Sequence, residues 1–123
     1  MGSATNRPDY HRRYEATYQL NDAEGVRNLL RDYNAIDSRR FVGDTAASDI
    51  LLDLKDAIDV AGLTALQHRA LELIYFDDLT QQMAAEYLGI DRSVVSKHIT
   101  AAVGKIASVY AYWAARGEGY CAS

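Results

Sequence analysis

The stretch LTQQMAAEYLGIDRSVVSKHI, residues 79–99, holds one glycine inside an otherwise helical pattern. That glycine constrains the chain more than any other feature. Apolar residues recur at helical spacing on both sides of it, so two helices must meet at Gly89. Lacking a Cβ, glycine adopts the left-handed backbone that reverses a chain within a residue or two. Asp91 comes two residues later and is the expected cap of a second helix, accepting its free first-turn amides. The 123-residue chain has one proline, Pro8, and no alternating β-branched run long enough for a sheet, so the expected class is all-α.

The length suits one compact domain, and 49% hydrophobic residues suffice to fill its core. Pro8 and Asp9 suit the opening of a first helix, on which Tyr10, Tyr14 and Tyr18 share a face read as core. Asp22 is the expected cap of a segment with apolar positions Val26, Leu29, Leu30, Tyr33 and Ile36. Whether residues 9–36 form one helix or two stays open; Gly25 weakens the join. "DSRRFVGDT", residues 37–45, is the clearest connector, with Asp44 or Thr45 capping the next helix. That helix runs to about Ala61, carries Ala47, Ile50, Leu51, Leu54, Ala57 and Ile58 on one stripe, and closes at Gly62. Thr64 and Gln67 form a capping box for a helix presenting Leu66, Ala70, Leu73 and Ile74, ended by Asp77-Asp78.

Around Gly89 the spacing becomes specific. With Gln81 as the first position, the fifth must be small because two helices cross there, and it is Ala85. The ninth, in the turn, is Gly89; the eighth, tenth and fifteenth are apolar, as Leu88, Ile90 and Val95. Together these favour a helix-turn-helix over a plain αα-hairpin, and the second helix of such a motif enters the DNA major groove by its N-terminal residues. Its exposed face there is Arg92, Ser93, Ser96 and Lys97, the expected base-reading set; Arg92 suits paired hydrogen bonds to guanine. Val94 is either a thymine-methyl contact or packing. Thr80, Gln81 and Gln82, opening the preceding helix, are expected at phosphate, with Lys105 near the backbone and Arg116 in solvent.

The segment "LTALQHRALELIYFDDLTQQMAAEYLGIDRSVVSKHITAAVGKI", residues 63–106, resembles region 4 of bacterial sigma factors, and the sigma-like regulators of phages and prophages. The "LT-x-x-Q" opening, the "LELIYFDDLT" link, "AAEYLGI" and "S-x-x-SKHI" carry the resemblance. It implies a C-terminal module that binds duplex DNA and often docks on RNA polymerase. Carried over by position, the DNA-facing residues fall on Arg92, Ser93, Ser96 and Lys97, with Thr80 and Gln81 at phosphate. Two features depart from that pattern. Met83 and Ala84 stand where a polar residue and then Ile or Val are usual. The first 62 residues lack the aromatic and basic segment that melts promoter DNA, so a regulator or partial sigma-like protein fits better than a complete sigma factor.

The last helix is read from Arg92 to Ala115, about 36 Å, and ended by Gly117 and Gly119. Val95, Ile99, Ala102, Val103, Ile106, Val109, Tyr110 and Trp113 form its stripe. This is expected to pack on the N-terminal helices, with a two-chain seam as the alternative. The chain thus divides into an N-terminal helical part (1–62), a DNA-binding module (63–116) and a tail (117–123).

The net charge of −4 runs against DNA binding until it is divided along the chain. Residues 41–62 carry −4 and residues 63–90 carry −3, but residues 91–116 carry +3. Positive charge is thus gathered on the helix assigned to the groove. His11, His68 and His98 stand apart from any Cys or paired carboxylate, and no nucleophile with its base is recognisable. No enzyme, metal or cofactor is therefore expected. Asp49, Asp53 and Asp56 share one outer helix face, read as solvated. The single cysteine, Cys121, the absence of a long apolar run and the lack of a signal-like opening suggest the cytoplasm of a bacterial host cell. The expected partner is double-stranded DNA, with RNA polymerase and a second copy of the chain as further candidates. The rival readings are a ring-forming DNA-packaging subunit like the small terminase subunits of phages, and a polymerase-docking module that barely touches DNA.

Overall fold

The computed structural model describes residues 18–40 and 42–116. Among these there are six α-helices and no strand. They are α1 (Ala23–Arg31), α2 (Tyr33–Arg40), α3 (Thr45–Val60), α4 (Ala65–Leu71), α5 (Gln81–Leu88) and α6 (Arg92–Ala115). Among the described residues, no helix is long and apolar enough to cross a membrane. The tyrosine stripe enters this view only at Tyr18, which is buried. Pro8, Tyr10, His11, Tyr14, Gly117, Gly119 and Cys121 lie outside the described residues.

Residues 19–22 lie outside any helix, so α1 starts after the Asn21-Asp22 interruption, and a further break at Asp32 (φ −90°, ψ 6°) separates α1 from α2. The Asp32 carboxylate Oδ2 accepts a 2.9 Å hydrogen bond from the Tyr18 hydroxyl, tying the incoming chain to the break. Asp22 occupies the cap position of α1, but its side chain makes no capping bond. Gly25 has a function beyond loosening a join. A Cβ built there would lie 1.6 Å from the Tyr18 carbonyl oxygen, so only glycine lets the preceding chain cross α1 this closely.

The connector is shorter than its composition suggests. Residues 37–40 continue α2, supported by the Arg40–Asp37 ion pair at 3.1 Å and by Ser38 Oγ donating to the Asn34 carbonyl. The helix ends at Arg40, and after the turn at Gly43 Asp44 caps α3 by accepting from the Ala47 amide at 3.0 Å. The Thr64–Gln67 capping box is complete, each side chain accepting from the other's backbone N–H at 3.1 Å. Beyond Leu71 the helix widens into a π-helical turn, Glu72–Phe76, which the residue spacing does not announce. The Asp77 amide closes it on the Glu72 carbonyl, and the Leu79 amide bonds the Leu73 carbonyl. This extra turn buries Leu73 and carries Phe76 against Tyr33 of α2, with ring centroids 4.6 Å apart. Leu66 is only half-buried; Leu71 and Gln67 take the inward positions instead.

Helix α6 is the axis of the molecule. Val95, Ile99, Ala102, Val103, Ile106, Val109 and Tyr110 are buried along it, and α1, α3, α4 and α5 all pack on it. Fully burying one such aliphatic side chain contributes about 1.5–3 kcal/mol, so this seam fixes α6 firmly. The stripe is filled within the chain, and Trp113 continues it edge-on to Tyr110 at 5.5 Å.

Candidate nucleic-acid interface

Thr80 starts α5 by accepting the Met83 amide on its hydroxyl at 3.1 Å. Beyond α5 the chain turns at Gly89, at φ 72° and ψ 33° in the left-handed region. The Ala85 carbonyl accepts both the Gly89 amide (2.8 Å) and the Ile90 amide (3.1 Å), which closes the turn. Ala84 and Ala85 are both buried, where larger side chains would hold α5 away from α6. Leu88 and Ile90 pack against the core from either side of the turn. Met83, by contrast, is 49% exposed, so the two departures from the usual pattern separate into one core and one surface position.

Asp91 takes the cap position of α6 (φ −70°, ψ 149°), but its carboxylate makes no capping bond. The expected side-chain cap is absent; the Asp91 carbonyl does that work, accepting from the amides of Val94 and Val95. Val95 and Ile99 face fully inward, which turns the opposite face of the first two turns outward. There Arg92, Ser93 and Lys97 are exposed, and Ser96 and Val94 are half-buried. Among the described residues, no side-chain hydrogen bond or ion pair engages Arg92, Ser93, Ser96 or Lys97. Other basic groups are committed: Arg31, Arg40, Lys55 and Arg69 each pair with a carboxylate.

The phosphate candidates divide. Thr80 is exposed and Gln81 half-buried at the start of α5, while the Gln82 amide nitrogen is bonded to Glu86 Oε2 at 3.2 Å. Lys105 does not join them. It sits thirteen residues beyond Arg92, about 20 Å along the helix, and its ammonium donates to Gln67 Oε1 (2.9 Å) and the Gly62 carbonyl (3.4 Å). In the chain alone that ammonium is one of the partners that let Gln67 be buried. Arg116 is exposed at the far end, over the Tyr112 ring at 5.1 Å.

Two polar contacts have no signal in the sequence. Arg69 bridges α4 to α5, bonding Glu72 and the Tyr87 hydroxyl at 3.2 Å each; these bonds, Tyr87 first, raise its pKa above the ordinary value. Arg27 of α1 donates to Thr100 Oγ1 of α6 at 3.0 Å, across 73 residues of chain. Among the described residues no group of three or more His, Cys, Asp or Glu side chains is gathered as for a metal.

The left-handed glycine, the buried alanine pair and the outward-facing polar end of α6 make this half of the chain a helix-turn-helix. Residues 60–107 match the family model described as sigma-70, region 4. The matched stretch runs from the end of α3 through most of α6, and domains of that family are non-catalytic DNA-binding modules of transcription. No curated protein and no solved structure matches the chain.

Proposed function

We propose that this protein is a sequence-specific regulator of transcription that reads the major groove of duplex DNA with the first two turns of α6. The observation that carries this reading is the state of Arg92, Ser93, Ser96 and Lys97. They lie together at the leading end of a helix whose other face is fully buried, and no other described side chain holds them. Arg92 presents a planar fork for guanine, the serines contact base edges or phosphate, and Lys97 serves either. Thr80 and Gln81 bring the start of α5 to the adjacent phosphates, where unsatisfied first-turn amides favour an anion. Asp91 immediately precedes Arg92, and Asp77, Asp78 and Glu86 add negative charge to the same helix-turn-helix stretch, so the attraction rests on few contacts and weakens with salt.

One observation favours a second contact with a protein such as RNA polymerase: Met83 and Tyr87 stand 49% and 66% exposed on α5. Anisotropy titrations of Arg92→Ala and Lys97→Ala against a duplex selected by the wild-type chain separate the readings. Under DNA reading, Arg92→Ala costs about 1–3 kcal/mol at one base position, and Lys97→Ala weakens binding. Undiminished binding by both variants defeats the reading of the groove by α6.

A further inference from the structure

The N-terminal helices α1 and α2 carry no part of the region 4 match, yet one of their side chains reaches the groove-facing side of α6. Arg92, Ser96 and Thr100 succeed one another at steps of four and share a face. Thr100 is exposed, and its hydroxyl accepts the 3.0 Å bond from Arg27 Nη2. Eight residues separate Arg92 from Thr100, about 12 Å of helix axis. The major groove is about 8.5 Å deep. A helix that enters by its leading end therefore has Arg92 at the base edges and Thr100 at the groove lip, level with the phosphates.

From this placement we infer that Arg27 is a phosphate-binding residue, contributed to the DNA interface by α1 and positioned by Thr100. The inference rests on the reading of α6 as the groove helix. The guanidinium has five N–H donors and spends one on Thr100, leaving the rest of its fork for a phosphate oxygen pair. Its backbone is fixed, because Val26, Leu29 and Leu30 on either side are fully buried against the core. The neighbouring Arg31 is drawn toward Asp32 instead, at 3.6 Å. Arg27 thus extends the cationic footprint of a domain that is short of positive charge, and it does so without touching a base.

The test uses the full chain and its Arg27→Ala, Arg27→Lys, Thr100→Val and Arg92→Ala variants. The probes are a duplex enriched by the wild-type protein from a random pool and a random-sequence duplex, each titrated over a range of salt concentrations. Arg27→Ala is expected to weaken both duplexes by the same factor, about tenfold. It should also reduce the slope of log affinity against log salt by about 0.9. Arg27→Lys should keep the slope and recover part of the affinity. Thr100→Val should weaken binding at an unchanged slope. A wild-type slope for Arg27→Ala overturns the inference, even if affinity drops through lost folding, since only a lost phosphate contact changes counterion release. If that slope is retained while Arg92→Ala loses a base preference, Arg27 fails alone. If Arg92→Ala also has no effect, the reading of α6 fails with it.

Discussion

Replacing Gly25 with alanine should test how the start of the described chain is held. In an open helix the change would add about 1 kcal/mol of stability, because alanine is the better helix former. Here the new Cβ falls 1.6 Å from the Tyr18 oxygen and 2.2 Å from the Gln19 oxygen. Ordinary carbon–oxygen contacts begin at about 3.3 Å, so the crossing backbone must withdraw by well over an ångström. No side-chain rotation relieves the clash, since both atoms are main chain. Withdrawal disturbs Leu20, 2% exposed, and the Tyr18–Asp32 hydrogen bond. Losing Leu20 burial costs about 1.5–3 kcal/mol and the hydrogen bond about 1. After the helix gain, the net loss is about 1.5–3 kcal/mol. Urea denaturation monitored by circular dichroism reads this as a lower midpoint at unchanged slope. A Gly25→Ala protein as stable as wild type, or more so, refutes the close crossing.

Gly89 calls for glycine for a different reason, since nothing lies within 4 Å of a Cβ built there. Gly89→Ala should cost only the left-handed backbone strain, about 1–2 kcal/mol in thermal unfolding, and Gly89→Asn less. Lys105→Ala should lower stability by up to about 1.5 kcal/mol through Gln67 and Gly62, while leaving the salt slope of DNA binding unchanged. A reduced slope would return Lys105 to the phosphate backbone.

Much of the fold was legible because short-range rules carried it. The capping box at Thr64–Gln67, the left-handed Gly89 and the small Ala85 are local requirements, visible wherever they occur. So was the α6 stripe, whose spacing fixes its inward face before any partner is known. The features that stayed hidden depend on chain segments far apart or on competing local bonds. Arg40 and Asp37 pair one turn apart and keep a polar stretch helical that composition assigns to a connector. The π-turn at Glu72–Phe76 is set by how Leu73 and Phe76 find the core and Tyr33. Lys105 looks free in the sequence because Gln67 is 38 residues away, and Arg27 gives no hint of Thr100. For the candidate site, the outward position of Arg92, Ser93 and Lys97 was legible from helical phase; the commitment of the surrounding charges was not.

The most direct measurement is selection of random duplexes by the wild-type chain and by Arg92→Ala, with sequencing of the bound fragments. Wild type should enrich a defined motif, and Arg92→Ala should keep that motif while losing its base preference at one position, where guanine stood. If the wild type enriches no motif, or the two proteins enrich the same motif equally, α6 does not read DNA through its leading end.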